Sequence, residues 1–442
     1  MNEQDKPMPP ANAQASPFAN LPERKPFTAS AREIWAALAM YVLAYVYVDQ
    51  DLMILPIDKL GEVGWLIAFT AAIVVMTEAL HREKKRSREC WVWLGCMVLI
   101  EAGVTLHRST VWTPGQSSLF VHLCFVWWVL CRSSVLLEGE TGRMLPVDAV
   151  FGYLIYPFEH FFLRIRCLWY AIRQTRGARQ KARPKTVAWS LLAVAVAVMF
   201  FITAINLLAG ADTHFRISMA KLLKAFTFHV DGFDDFLGTL LLSLPVAAWL
   251  FGLIAGTGRI RRDVLDARAN SVDGFVRSLR QVPTAVWVAL TAAFCVLYAV
   301  FFALHAPYLL GAFHRNLPAG YTLSRYARQG FFELCKLMAV NFALLWLSTR
   351  MSRNALQEHK WLKTSAIVLL AESLLFAVIA ASKLWLYIDC FGFTPLRLQS
   401  AWLICSLSFG CLCAAWSIVK NQKTFRAWVI FSAVTLSALH FW

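Results

Sequence analysis

"TSAIVLLAESLLFAVIAASKLWLYI", Thr364 to Ile388, runs for 25 residues with only two charged side chains, Glu372 and Lys383. A helix needs roughly 20 apolar residues to cross the hydrocarbon of a bilayer, so this stretch is long enough to span one. Its two charges are eleven residues apart. Eleven residues are close to three helical turns, which points both charges the same way, about 16 Å apart along the axis. Tyr387 follows Lys383 at i+4. One face of an otherwise apolar helix thus carries a polar stripe.

Outward from this stretch the pattern repeats. The chain of 442 residues is 58% hydrophobic, 14% aromatic and only 16% charged, where a soluble domain carries about 25% charged residues. Eleven apolar blocks read as spans: 34–52, 63–80, 90–106, 119–137, 186–209, 236–256, 284–304, 329–347, 364–388, 400–418 and 427–442. The expected fold class is all-α, a polytopic helical transmembrane bundle of about 11 spans. Residues 1–33 are polar and rich in Pro, Ala and Asn; they read as a disordered cytoplasmic tail with no signal peptide. A four-span region follows at 34–137, then a basic cytoplasmic interfacial segment at 138–185, then a seven-span region at 186–442.

The net charge of +16 raises the question of nucleic acid. The location of the charge answers it. With the N-terminus in the cytoplasm, the segments inside hold 32 of the 43 basic residues, with Arg132 counted in the loop that follows it, and the segments outside hold nine. Each inside segment is more basic than the outside segment after it, which is the positive-inside rule met at every step. The charge is therefore an orientation signal and an anchor for anionic cytoplasmic lipid, in a multi-pass protein of the cell (inner) membrane. Nucleic acid is not an expected partner.

Two connections are too long for turns. Residues 138–185 include "FEHFFLRIRCLWYAIRQTRGARQKARPK", which reads as an amphipathic helix in the cytoplasmic interface with Trp169 and Tyr170 at headgroup level. Its basic run is a lipid-facing surface or a docking site for an acidic protein partner. On the outer side, residues 212–229 form a second amphipathic stretch, with Phe215, Met219, Leu222 and Phe226 at helical spacing.

Phosphate-loop, nucleophile-elbow, zinc-protease and dinucleotide-binding motifs are all absent from the sequence. Eleven cysteines lie mostly inside apolar blocks, and Cys411 and Cys413, a C-x-C within a span, read as small packing residues. His122, His305 and His440 are singles on different spans, so no metal, haem or other cofactor is expected. The longest extramembrane piece after the tail is about 48 residues, which places any activity in the membrane domain itself.

Charges at bilayer depth cost about 2.5–3.5 kcal/mol each on insertion scales, so they face the bundle interior and a partner. Glu78 sits beside "HREKKR" at a cytoplasmic end and reads as solvated. Glu101 and Thr105 lie on the outer half of the third span. In the eighth span, Tyr326, Gln329 and Glu333 share a face, with Lys336 close by and able to pair with Glu333. The expected binding site gathers Arg325, Tyr326, Arg328, Glu333, Lys336, Glu372, Lys383, Tyr387 and Arg397, a cationic and phenolic cluster on the outer half of spans eight to ten with Glu372 at the middle of span nine, where its polar stripe begins. The alternative reading has these pairs holding helices together, with arginines snorkelling to headgroups.

Two stretches carry a resemblance. "SRYARQGFFELCKLMAVN" (Ser324–Asn341) and "SKLWLYIDCFGFTPLRL" (Ser382–Leu398) resemble an uncharacterised bacterial membrane family, the domains of unknown function 4153 and 4173. Its members look like Y-A-R-x-G-F-F-E-L followed by R-L-x-x-Y-x-x-x-Y-G-L-T-x-x-R. "LLAGADTHF" (Leu207–Phe215) is similar to a third element of that pattern, and the resemblance covers roughly 186–420. It implies roles for Asp212, Phe215, Tyr326, Arg328, Gly330, Phe331, Phe332, Glu333, Tyr387, Gly392, Thr394 and Arg397. The chain departs from the pattern at Lys383, where the family tends to have Arg, and at Phe391 and Phe393 beside Gly392. Lysine keeps the charge but loses the bidentate fork. A hairpin explains Gly392 and Pro395, but not Arg397.

These readings imply a transporter, channel or flippase-like protein that handles an anionic solute or lipid headgroup. Arg328, Lys383 and Arg397 would attract the anion, while Glu101, Glu333 and Glu372 would pair with cations or relay protons. The alternatives are a non-catalytic membrane sensor or assembly partner, and a membrane enzyme acting on lipid-linked substrate; no catalytic residue stands out.

Overall fold

A computed structural model describes residues 27–50, 52, 60–107, 111–176, 233–310, 331–354 and 356–442. The expected span 186–209 and the amphipathic stretch 212–229 lie outside the described residues. Among the described residues the chain is helical and contains no strand, only an isolated bridge between Val282 and Ser352.

The helices are α1 (Ala31–Asp49), α2 (Leu60–Leu80), α3 (Arg88–His107), α4 (Pro114–Ser133), α5 (Leu145–Val150), α6 (Tyr156–Glu159), α7 (Leu163–Arg176), α8 (Phe233–Phe251), α9 (Thr257–Arg259), α10 (Arg262–Ser278), α11 (Thr284–Leu310), α12 (Phe331–Met351), α13 (Lys360–Phe391), α14 (Pro395–Lys420) and α15 (Phe425–Ala438). Seven helices among the described residues are long and apolar enough to cross a membrane: α1, α3, α8 with its extension, α11, α12, α13 and α14. Shorter apolar helices cover Gly64–Leu80 and Phe425–Phe441. The surface is apolar as well; Trp35 and Trp385 are each 71% exposed. Such a surface suits lipid rather than water.

Local chemistry sets the ends. Ser30 caps α1 in a box with Glu33: the Glu33 N–H donates to Ser30 Oγ at 3.3 Å, and the Ser30 N–H donates to Glu33 Oε2 at 2.8 Å. Thr113 and Gln116 repeat the device at α4, with Pro114 at the first position. That cap starts and ends α4 about four residues earlier than the apolar block at 119–137. Between α13 and α14 only Gly392, Phe393 and Thr394 intervene; Gly392 takes φ +77°, open to glycine, and Pro395 starts α14.

Two π turns shape the interfacial part. Phe151–Ile155 precedes Pro157, which has no N–H to offer the carbonyl four residues back. Gly252–Gly256 extends α8, and a Cβ at Gly252 would stand 2.5 Å from the Pro157 carbonyl oxygen. The glycine lets α6 press directly onto that turn.

Hydrogen bonds show which helix ends meet. At what we call the near end, where α1 starts, Arg259 binds Glu33 at 2.6 Å, Arg350 donates to the Arg143 carbonyl at 2.7 Å, and Arg353 donates to the Gln281 carbonyl at 2.9 Å. At the far end Ser118 donates to the Leu52 carbonyl at 2.8 Å, and Gln399 donates to the Val111 carbonyl. Within α1–α4, and again along α8, α11, α12, α13 and α14, each long helix therefore runs opposite to the one before it. The buried residues form two clusters. The first draws on α1–α4, the 135–167 segment and α8; the second draws on α11–α14. Between them α15 packs on both α3 and α14.

Candidate functional site

Arg325, Tyr326 and Arg328, with Asp212, Phe215 and Gly330 from the resemblance, lie outside the described residues. The remaining six expected residues fall into separate surroundings. Glu333 and Lys336 are exposed on the first turns of α12, and among the described residues no ion pair joins them. Lys383 on α13 is buried, at 1% exposure, within the field of the Glu333 carboxylate. One turn farther, the guanidinium of Arg397 stacks over the Tyr387 ring, 4.1 Å from its centre. Its Nη1 donates to the Phe391 carbonyl at 2.8 Å and to the Gly392 carbonyl. Those carbonyls end α13, where unsatisfied oxygens and the helix dipole both favour a cation. Arg397 therefore has a structural role that the hairpin reading left open: it closes the α13–α14 turn and keeps one face on Tyr387.

Glu372 lies on the same stripe of α13 but about 16 Å from Lys383 along the axis. It meets Cys295 of α11, and its Oε2 is buried without a hydrogen-bond partner. Around it runs a ladder of neutral polar groups. Thr284 and Ser352 hydroxyls meet at 3.0 Å, and those of Thr291 and Ser365 meet at 2.7 Å. Tyr298 donates to Asn341 Oδ1 at 2.8 Å, and Asn341 Nδ2 donates to Ser373 at 2.8 Å. On α11 the residues Thr284, Thr291, Cys295 and Tyr298 recur at steps of seven, four and three, which keeps them on one face.

The near end holds charged nodes that reading the sequence did not find. Arg132, 1% exposed, grips Glu78 through Nε at 2.8 Å and Nη2 at 3.0 Å, and donates to the carbonyls of His81 at 2.7 Å and Lys84 at 3.2 Å. Lys84 Nζ in turn donates to the carbonyls of Ser133 at 2.8 Å and Thr257 at 3.0 Å, so two cations cap three helix C-termini. Glu78, expected in water, is instead the counter-ion of both Arg132 and Arg86. Burial holds the His81 imidazole down at about 4 and lowers Lys84 to about 8, with Arg132 adding repulsion. In a second node, buried Glu89 accepts from the Thr141 N–H at 3.0 Å, from the Thr141 hydroxyl and from Trp93 Nε1 at 2.9 Å. Arg426 of α15 stands 3.3 Å from Glu89 and also binds Glu140. A further buried acid, Asp148, accepts from the Leu137 N–H at 3.0 Å, and burial raises it to about 7.

Among the described residues no group of three or more His, Cys, Asp or Glu side chains is placed to hold a metal. The sequence profile described as a domain of unknown function, DUF4153, matches residues 94–442. The chain belongs to the DUF4153 family. No curated protein and no solved structure matches it. The DUF4153 region begins inside α3 and is wider than the stretch that carried the resemblance. It contains the polar ladder, Lys383, Tyr387, Arg397, Arg132 and Arg426, whereas Glu78, His81, Lys84 and Glu89 precede it. The near-end nodes thus tie the matched region to helices outside the match.

Proposed function

We propose that the far end of α12–α14 handles an anionic solute or lipid headgroup, in a multi-pass membrane protein whose near end faces the cytoplasm. The observation that carries the reading is the placement of Lys383. An ammonium at 1% exposure on a spanning helix is costly, and such residues mark ligand or ion pathways more often than they stabilise a fold. Tyr387 and the stacked Arg397 stand one and about four turns on in sequence, at the mouth of the same face. Glu333 offsets the lysine charge when no ligand is present. The basic residues gathered at the near end, Arg86, Arg132, Arg259, Arg350, Arg353 and Arg426 among them, support that orientation.

The test is native mass spectrometry of the full chain released from membranes. An anionic lipid or solute is expected to co-purify, and to be lost in Lys383→Met, Arg397→Ala and Glu333→Gln without a fall in membrane abundance. Lys383→Met is the cleanest of the three, because Arg397 also bonds the α13 terminus. Retention of the same anion by all three variants would remove the proposal.

A further inference from the structure

Glu372 stands apart from the anion site. The charged groups on the elements packed around it are all displaced along the axis: Glu333 and Lys336 of α12, Lys383 and Asp389 of α13 and Arg397 of α14 lie toward the far end, and Arg350 of α12, Lys360 and Lys363 of α13 and Lys420 of α14 toward the near end. At its own level α11 presents Cys295 and Tyr298, α12 presents Asn341, and α14 contributes the buried thiol Cys411. Among the described residues no cation pairs with Glu372.

What surrounds this carboxyl favours its neutral form. Cys295 Sγ donates to the Ser365 carbonyl at 3.6 Å and also lies against the Glu372 carboxyl, and its one hydrogen cannot satisfy both oxygens. An ionised carboxylate would present Oε2, buried and unbonded, with no cation to offset its desolvation. Toward the near end the face of α11 continues through Thr291–Ser365 and Thr284–Ser352, hydroxyl pairs able both to donate and to accept. From Thr284 to Tyr298 this polar face runs about 21 Å.

We infer that Glu372 is a proton-binding site, exchanging with solvent at the near end along the hydroxyl face of α11. The step is a proton transfer alone: a solvent proton forms the O–H bond at Oε2, release breaks it, and nothing is oxidised or reduced. Glu101 is the built-in contrast. It is buried where Glu372 is only half-buried, and it is bonded to Thr70 with Oε1 unpartnered, but no ladder of paired hydroxyls leads to it among the described residues. Both acids bind a proton; only Glu372 exchanges it rapidly.

The test uses the full chain in lipid nanodiscs. Dicyclohexylcarbodiimide, which attacks protonated carboxyls in apolar surroundings, is expected to modify Glu372 at neutral pH by peptide mass spectrometry. Labelling should fall about tenfold per pH unit once the carboxyl ionises. In infrared spectra a protonated-carboxyl band should shift promptly in D₂O, disappear in Glu372→Gln, persist in Glu101→Gln and shift more slowly in Thr291→Val. No labelling of wild-type Glu372 at any pH would overturn the proton site, with no variant needed. A shift rate untouched by Thr291→Val would overturn the near-end route. Loss of the co-purifying anion in Lys383→Met with Glu372 labelling intact would keep this inference separate from the anion reading.

Discussion

In the first core, around α1–α4 and α8, ionised groups collect at the near end: Arg132 with Glu78, Lys84 on two helix termini, Glu89 with Arg426. In the second core, α11–α14, the polar groups run through the middle of the helices and are mostly neutral: Thr291 with Ser365, Tyr298 with Asn341 and Ser373. The difference follows from what each depth allows. At helix ends a cation finds unsatisfied carbonyls and partial hydration, so full charges can be paired. Farther in, every polar group must find its partner within the bundle, and hydroxyls and amides do so at lower cost than ions. Glu372 and Lys383 depart from that pattern in the second core.

The sharpest way to break this comparison is Glu78→Ala. It leaves the buried Arg132 guanidinium with carbonyls alone, and should cost about 3–5 kcal/mol of stability, read by thermal unfolding in detergent. A loss below about 0.5 kcal/mol, as for a solvated surface acid, would dissolve the first core's charged node. The second effect is pH-dependent. His81 is held neutral in the fold, down to about 4 from 6.5, so the unfolded chain binds more protons between those values. Stability should be complete above pH 6.5 and fall by up to about 3 kcal/mol as the pH drops toward 4. His81→Leu should flatten that limb. Asp148 works with the opposite sign: raised from 3.8 to about 7, it is protonated in the fold and ionised in the unfolded chain, so its contribution is lost as the pH climbs through that window.

Smaller losses are expected from the neutral ladder. Asn341→Leu removes two hydrogen bonds, at about 0.6 kcal/mol each on average for such bonds in membranes. A cost comparable with Glu78→Ala would mean that the two cores do not differ as described. The smallest effect is expected of Asp263→Ala, which breaks the pair with Arg261 on a surface where the side chains are 78% and 61% exposed. Its cost should lie under about 1 kcal/mol and shrink further with added salt.

Hydropathy located the helices well where their residues are described, because a spanning block averages over roughly 20 residues and single substitutions scarcely move it. It misjudged the start of α4 by five residues, since the Thr113–Gln116 cap and Pro114 set the start, not the apolar average. Glu78 was misread for a different reason: its partner Arg132 lies 54 positions away in the chain, and no local pattern encodes that meeting. Arg397 was read as unexplained by the hairpin, whereas its bonds to the Phe391 and Gly392 carbonyls close that hairpin, and its stacking on Tyr387 depends on how the turn closes.

Sequence alone determined the class of this protein: an all-helical chain whose apolar blocks are long enough for a bilayer, with a polar stripe on the longest of them. Those properties are written in composition and period, which survive any arrangement of the helices. Which ion meets which, that Lys383 is buried while Lys336 is exposed, and that Glu372 faces a thiol rather than a cation were decided only by packing. The physical reason is that a charge is stabilised or stranded by groups within a few ångströms, and in a bundle those groups come from other helices, far away in sequence.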